Sequence, residues 1–156
     1  MPPGVDALSD AGHPTRSGGT IRLDQTTFEE AGVSIEYAED HPTFELGGNT
    51  ITSLAAPSRG AHEAALFRIE VPAGGGLPAH HHDHLDVFAV ESGSGTFHID
   101  DELFELAAGD SAVVPTGAVH FLEAGGDGAT IVVTMLAGTK LVRADDGSEL
   151  VPPWVS

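Results

Sequence analysis

From Thr20 onward the chain is written in short apolar or alternating runs. They are VSIEY (33–37), TFEL (43–46), TITSLA (50–55), ALFRIEV (65–71), DVFAV (86–90), TFHID (96–100), LFEL (103–106), SAVVP (111–115), HFLE (120–123) and TIVVTML (130–136). Turn-forming clusters separate them: GGN (47–49), PAGGGLP (72–78), SGSG (92–95), AAGD (107–110) and AGGDG (124–128). A period of two bounded by Gly, Pro, Asn, Asp and Ser marks half-buried strands, and their regular spacing predicts an all-β sandwich or barrel with few short helices. TTFEEAG (26–32) is the one segment that reads as a helical turn. The C-terminal stretch KLVRADDGSELVPPWVS predicts a last hairpin around Asp146-Gly147, ended by Pro152-Pro153, with Trp154 placed to cap the barrel or meet another subunit.

Residues 1–19 carry Gly, Pro, Ser and Asp without periodicity and read as a flexible tail, leaving 20–156 as one domain. A length of 156 residues suits a single core. Charge narrows the partners: 6 Lys and Arg stand against 24 Asp and Glu, a formal net charge of −18. That balance disfavours nucleic acid and anionic membrane surfaces and leaves a small molecule as the expected partner. No run approaches the ~20 apolar residues of a membrane span, and the start of the chain has neither a basic nor an apolar segment, so the expected location is cytoplasmic. The apolar runs TIVVTML and ELVPPW offer surfaces for homodimerisation. Cysteine is absent, so any metal site must use nitrogen and oxygen donors.

Those donors are concentrated. Four of the nine histidines fall in HHHDH (80–84), and His120 opens a later run. In an extended segment His80 and His82 share one face while His81 takes the other, which makes a two-imidazole pincer. Asp86, at the start of DVFAV, can join it if the two strands are neighbours, and His120 can add a third imidazole from across the barrel. His84 shares parity with His80 and His82 and is the substitute ligand should the turn bend inward. Three imidazoles and a carboxylate suit one divalent transition metal per chain: iron, manganese, nickel, cobalt or zinc. Phe88, Val90, Leu122 and either Val113 or Pro115 would line an apolar pocket around it. His98 would join that lining if a three-residue turn between Ser92 and Thr96 sets it opposite Val90. His41, His62 and His81 are read as surface residues.

The spacing resembles that of the cupin superfamily. Gly74, His80, His82, Asp86 and Gly93 fit the first cupin motif, G-x5-H-x-H-x3,4-E-x6-G, with Asp in place of Glu. Gly109, Pro115, Gly117 and His120 fit the second, G-x5-P-x-G-x2-H-x3-N, with Ala124 in the Asn position. Motif 1 thus spans 74–93 and motif 2 spans 109–124, with fifteen residues between them. The stretch from ITSLA through VPAGGGLPAHHH is most similar to small quercetin dioxygenase-like cupins. The resemblance implies a double-stranded β-helix, or jelly-roll barrel, with metal on His80, His82, Asp86 and His120. It also implies a dioxygenase acting on an enol or phenol-type molecule, flavonol-like or polyketide-like, with Asp86 as ligand or proton acceptor. Asp is one methylene shorter than Glu, which favours action through a water or as a base. The alternatives are a non-redox metal-dependent cyclase or isomerase of polyketide-like substrates, and a non-catalytic small-molecule binding cupin.

Overall fold

The computed structural model describes residues 33–156. The flexible tail expected at 1–19 and the helical turn expected at 26–32 lie outside the described residues.

The described residues form ten strands: β1 (Thr43–Leu46), β2 (Asn49–Ala55), β3 (Ala64–Val71), β4 (His80–His82), β5 (Asp86–Ile99), β6 (Glu102–Ala107), β7 (Ser111–Val114), β8 (His120–Leu136), β9 (Leu141–Arg143) and β10 (Glu149–Leu150). The described helical structure is three single 3-10 turns, at Ala38–Asp40, Pro57–Arg59 and Pro153–Val155. None of it is long and apolar enough to cross a membrane. VSIEY, expected as a strand, is irregular in the structure. Val33, Ile35 and Tyr37 are all exposed, so its alternation finds no sheet to pack on.

Two pairs of expected strands turn out to be single long ones. DVFAV and TFHID are the two halves of β5, and HFLE and TIVVTML are the two halves of β8. β5 and β8 run antiparallel along their whole length, from Asp86 opposite Met135 to Ile99 opposite His120. The register slips between Val90 and Ser92 and again between Gly93 and Gly95, so SGSG is a bulged bend within a strand rather than a hairpin turn. Glycine is required there. Gly93 has φ +73°, and a Cβ on it would stand 2.1 Å from the Gly128 carbonyl oxygen of the facing bend.

The two bent strands belong to two sheets at once. Their Asp86–Gly93 and Ala129–Leu136 halves continue through β3, β2 and β1 on one side and β7 on the other. Their other halves pair with β6 and, through His80 opposite His120, with β4, β9 and β10. The result is an all-β curled sheet of the jelly-roll kind, whose inner faces supply Ile51, Phe67, Ile69, Phe88, Phe97, Leu122, Ile131 and Val133 to a common core. Phe88 and Phe97 stack with centroids 4.4 Å apart, joining the two halves of β5 across the bend.

Parity in this frame departs from the sequence expectation at Val113 and Pro115. Both are exposed, and Val114 fills the core in their place at 1% exposure. The C-terminal turn closes one end. Val155 is fully buried, Trp154 packs 5.9 Å from Phe44 and 6.3 Å from Phe67, and the Ser53 hydroxyl donates to the Trp154 carbonyl at 2.9 Å.

Candidate metal centre

Three histidines from two adjoining strands converge inside the barrel. His80 and His82 project from β4 and His120 opens β8 as the direct cross-strand partner of His80. A ligating nitrogen from each of the three lies within 4.8 Å of the others.

The outer ring nitrogens are all committed to backbone carbonyls: His80 Nδ1 to Pro78 at 2.7 Å, His82 Nδ1 to Lys140 at 3.0 Å and His120 Nδ1 to Ala118 at 2.9 Å. A carbonyl only accepts, so each Nδ1 carries the proton and each Nε2 presents a lone pair to the centre. The carbonyls are themselves fixed. The Lys140 amide donates to Asp83 Oδ1 at 2.8 Å, and the segment before His120 is clamped by Asp100, whose Oδ1 accepts from Val119 N–H at 3.0 Å while its own N–H donates to the Val119 carbonyl at 2.7 Å. Asp100 takes φ 51° to do this.

Asp86 faces the triad, but not by the expected route. β4 and β5 are not paired with each other, and the three-residue loop 83–85 carries the chain from one sheet to the other. Asp86 therefore reaches in from the opposite wall, with Oδ2 3.7 Å from His120 Nε2 and 4.0 Å from His82 Nε2. Its Oδ1 is buried with no hydrogen-bond partner. Burial pushes the Asp86 carboxyl upward, against the pull of His120 and His82. Burial also holds the His80 imidazole down to about 3, assisted by His120, and lowers His82. The three imidazoles form a nitrogen donor group that fits a metal ion, and the buried Asp86 carboxylate, with its orphaned oxygen, stands beside them.

The other expected site residues separate. Phe88 and Leu122 line the cavity with the triad and Asp86. Val90 does not: it is 2% exposed and packs into the core below. His84 is turned away, half-exposed on the loop with Nδ1 3.1 Å from Asp83 Oδ1, and does not join the group. His98 also lies off the cavity. It stacks on Phe121 at 4.0 Å, and its Nε2 meets Glu123 Oε2 at 2.8 Å. The cause is the bend: alternation along β5 reverses across it, with Phe88 and Val90 buried before and Gly95 and Phe97 after, so Phe97 points inward where an unbroken count places His98. His81, read as a surface residue, is half-buried on the opposite face of β4 and pairs with Val142.

The cavity has a volume of about 390 Å³, within the range of small-molecule sites. Its walls include residues that alternation alone did not single out, among them Phe67, Phe97, Met135, Arg143 and Trp154.

Comparison with known proteins agrees with this architecture. The Cupin domain family matches residues 67–136. No curated protein matches the chain. Among solved structures, an RmlC-like cupin from Shewanella frigidimarina superposes with a TM-score of 0.58 at 24% identity, covering 65% of this chain and 87% of that one. The polyketide cyclase RemF from Streptomyces resistomycificus gives 0.60 at 21% identity over 74% of this chain and 89% of its own. A salicylate 1,2-dioxygenase from Pseudaminobacter salicylatoxidans gives 0.54 at 20% identity over 70% of this chain and 30% of its own. At these identities the likeness to the solved structures is one of fold. The matched domain runs from β3 to the end of β8 and contains His80, His82, Asp86 and His120, and together with the shared fold of these structures it supports a small member of the cupin superfamily.

Proposed function

We propose that the protein is a metal-dependent enzyme acting on an enol or phenol-type small molecule, most simply as a dioxygenase. The observation that carries this reading is the triad itself: three imidazoles with every Nδ1 tied to a carbonyl and every Nε2 free, beside a buried carboxylate with an unpartnered oxygen. Such preorganisation has no structural purpose in a barrel that a few Leu and Val side chains would fill more favourably.

His80, His82 and His120 would hold the ion and Asp86 would complete its shell or stand beside it. A divalent ion there supplies Lewis acidity to a substrate oxygen and, if redox-active, a route for electrons to dioxygen. The chain's own part is binding, orientation and proton handling. Phe88, Phe97 and Leu122 give apolar walls for a flat ring and exclude water from the reacting oxygen. Asp86, lifted by burial, is suited to take the proton of an enol or phenol as it approaches.

One observation favours a second reading. The Asp86 carboxylate stands 3.7 to 4.0 Å from two imidazole nitrogens, near the centre yet free to gain and lose a proton, which also serves a non-redox cyclase or isomerase. The likeness in fold to a polyketide cyclase is consistent with it.

Elemental analysis of tag-free protein expressed without added metal tests both. Near-stoichiometric iron, manganese, nickel or cobalt, with oxygen uptake on an enol or phenol, supports the dioxygenase. Zinc alone supports the non-redox reading. A metal-free protein that also resists loading refutes both.

A further inference from the structure

Among the described residues lining the cavity, Arg143 is the one Lys or Arg. Its place follows from register. In the β4–β9 ladder Arg143 is the direct partner of His80, while His81 meets Val142 and His82 meets Leu141. Cross-strand partners share a face, so the guanidinium rises on the same side of the sheet as the two histidine ligands.

Apart from His80, His82, His120 and Asp86, the other described lining residues of the cavity are apolar, Leu77, Pro78, Leu141, Leu150 and Pro152 among them. A cation beside such a surface, in a chain of net charge −18, calls for a specific partner. At present its fork is filled from its own turn. Arg143 Nε donates to Asp145 Oδ1 at 3.0 Å and Nη2 to Asp145 Oδ2 at 2.5 Å, with Asp146 Oδ1 3.9 Å from Nε. This is the two-point geometry by which guanidinium groups recognise carboxylates. Both side chains remain largely in water, at 49% and 63% exposure, and an exposed pair of this kind contributes little and exchanges readily. Asp145, once released, is solvated where it stands. Asp146 is held separately, by the amide and hydroxyl of Ser148 at 2.9 and 2.7 Å, so the turn keeps its shape when the fork is emptied.

We propose that Arg143 is the specificity-determining residue of the cavity. It selects an apolar ring compound bearing a carboxylate remote from the oxygen that faces His80, His82 and His120, and Asp145 occupies the fork until that carboxylate displaces it. The orientation of the ligand rests on the metal-site reading above, whereas the preference for an acid does not. The Arg143 fork bonds to Asp145, whereas the triad is held by the Pro78, Lys140 and Ala118 carbonyls, so replacing Arg143 removes none of the hydrogen bonds that orient the histidines.

The test is calorimetric titration of 6-hydroxy-2-naphthoate against the isosteric 6-hydroxy-2-naphthamide, on chelator-treated and on metal-loaded protein. In chelator-treated wild type the acid is expected to bind about 10-fold tighter than the amide. In Arg143→Gln that ratio falls to about one with amide affinity unchanged, and Arg143→Lys retains part of it. Asp145→Asn tightens the acid several-fold and leaves the amide alone, because it removes the competing carboxylate. An equal acid-to-amide ratio in wild type and Arg143→Gln overturns the proposal, as does Asp145→Asn without tightening or failure of both probes to bind. Acid preference in a protein that never takes metal would leave Arg143 standing while refuting the metal-centred reading. Metal binding with no acid preference would do the reverse.

Discussion

The His80 imidazole makes a quantitative demand on stability. Burial, and His120 beside it, hold its titration down to about 3, whereas a histidine in an unfolded chain titrates near 6.5. Between those values the unfolded chain binds a proton that the folded chain refuses. Stability from this group is therefore fully present above about pH 6.5 and lost as the pH falls towards 3. Each pH unit in that window costs ~1.4 kcal/mol, so at about pH 4 the loss is at most roughly 3 kcal/mol, the residual exposure of the ring reducing it. Asp86 acts with the opposite sign. Its raised carboxyl is a burden while ionised, and the burden is relieved as it takes up a proton in acid. His82, also lowered by burial, adds to the loss.

The variant His80→Gln isolates the first contribution, because Gln keeps a polar side chain and does not titrate. Urea unfolding of chelator-treated wild type and variant near neutral pH and at about pH 4 gives four free energies. The wild type is expected to lose about 2 to 3 kcal/mol more than the variant on acidification, whatever their difference at neutral pH. Parallel losses would refute the assignment of a buried, neutral His80 and, with it, the account of why the triad stands ready for a metal ion.

Other perturbations separate ligands from bystanders. His120→Ala should abolish stoichiometric metal retention measured by elemental analysis, while His81→Ala and His84→Ala should leave it nearly intact, since neither belongs to the group of three. Equal loss in all three variants would indicate an unspecific histidine-rich loop. Asp86→Asn should weaken metal affinity by roughly 10- to 100-fold in competition with a chromophoric chelator, the range typical of groups that support a metal shell. The same variant should leave the metal-free protein no less stable, because it removes a buried charge. Gly93→Ala should destabilise by roughly 2 kcal/mol or more in thermal or urea unfolding, given its positive φ and the Gly128 oxygen 2.1 Å from the added Cβ.

The sequence carried the fold class because alternation and turn chemistry are local. TFEL, TITSLA, ALFRIEV and LFEL became β1, β2, β3 and β6 within a residue or so at either end. The histidine parity was legible for the same reason: a three-residue strand leaves no room for a slip between His80 and His82. The path of the chain through SGSG and AGGDG was not. A glycine-rich cluster fits a hairpin turn and a bulged bend equally well, and what decides is the approach of Gly93 to Gly128, thirty-five residues away in the sequence.

That one ambiguity propagates. Read as a turn, SGSG sets His98 opposite Val90 and into the pocket. Read as a bend with two slips, it sends Phe97 inward onto Phe88 and leaves His98 outside against Phe121 and Glu123. Arg143 was hidden by another kind of non-locality. It stands in a turn-rich segment where a charged residue reads as solvated surface, and only the β4–β9 register, which sets it opposite His80, brings it to the cavity. Residues placed by strand-internal parity can thus be assigned from sequence, while those placed by pairing between distant strands require the register. In this barrel the candidate metal ligands His80 and His82 fall in the first group, and the side chains that would choose the substrate, Phe97 and Arg143, fall in the second.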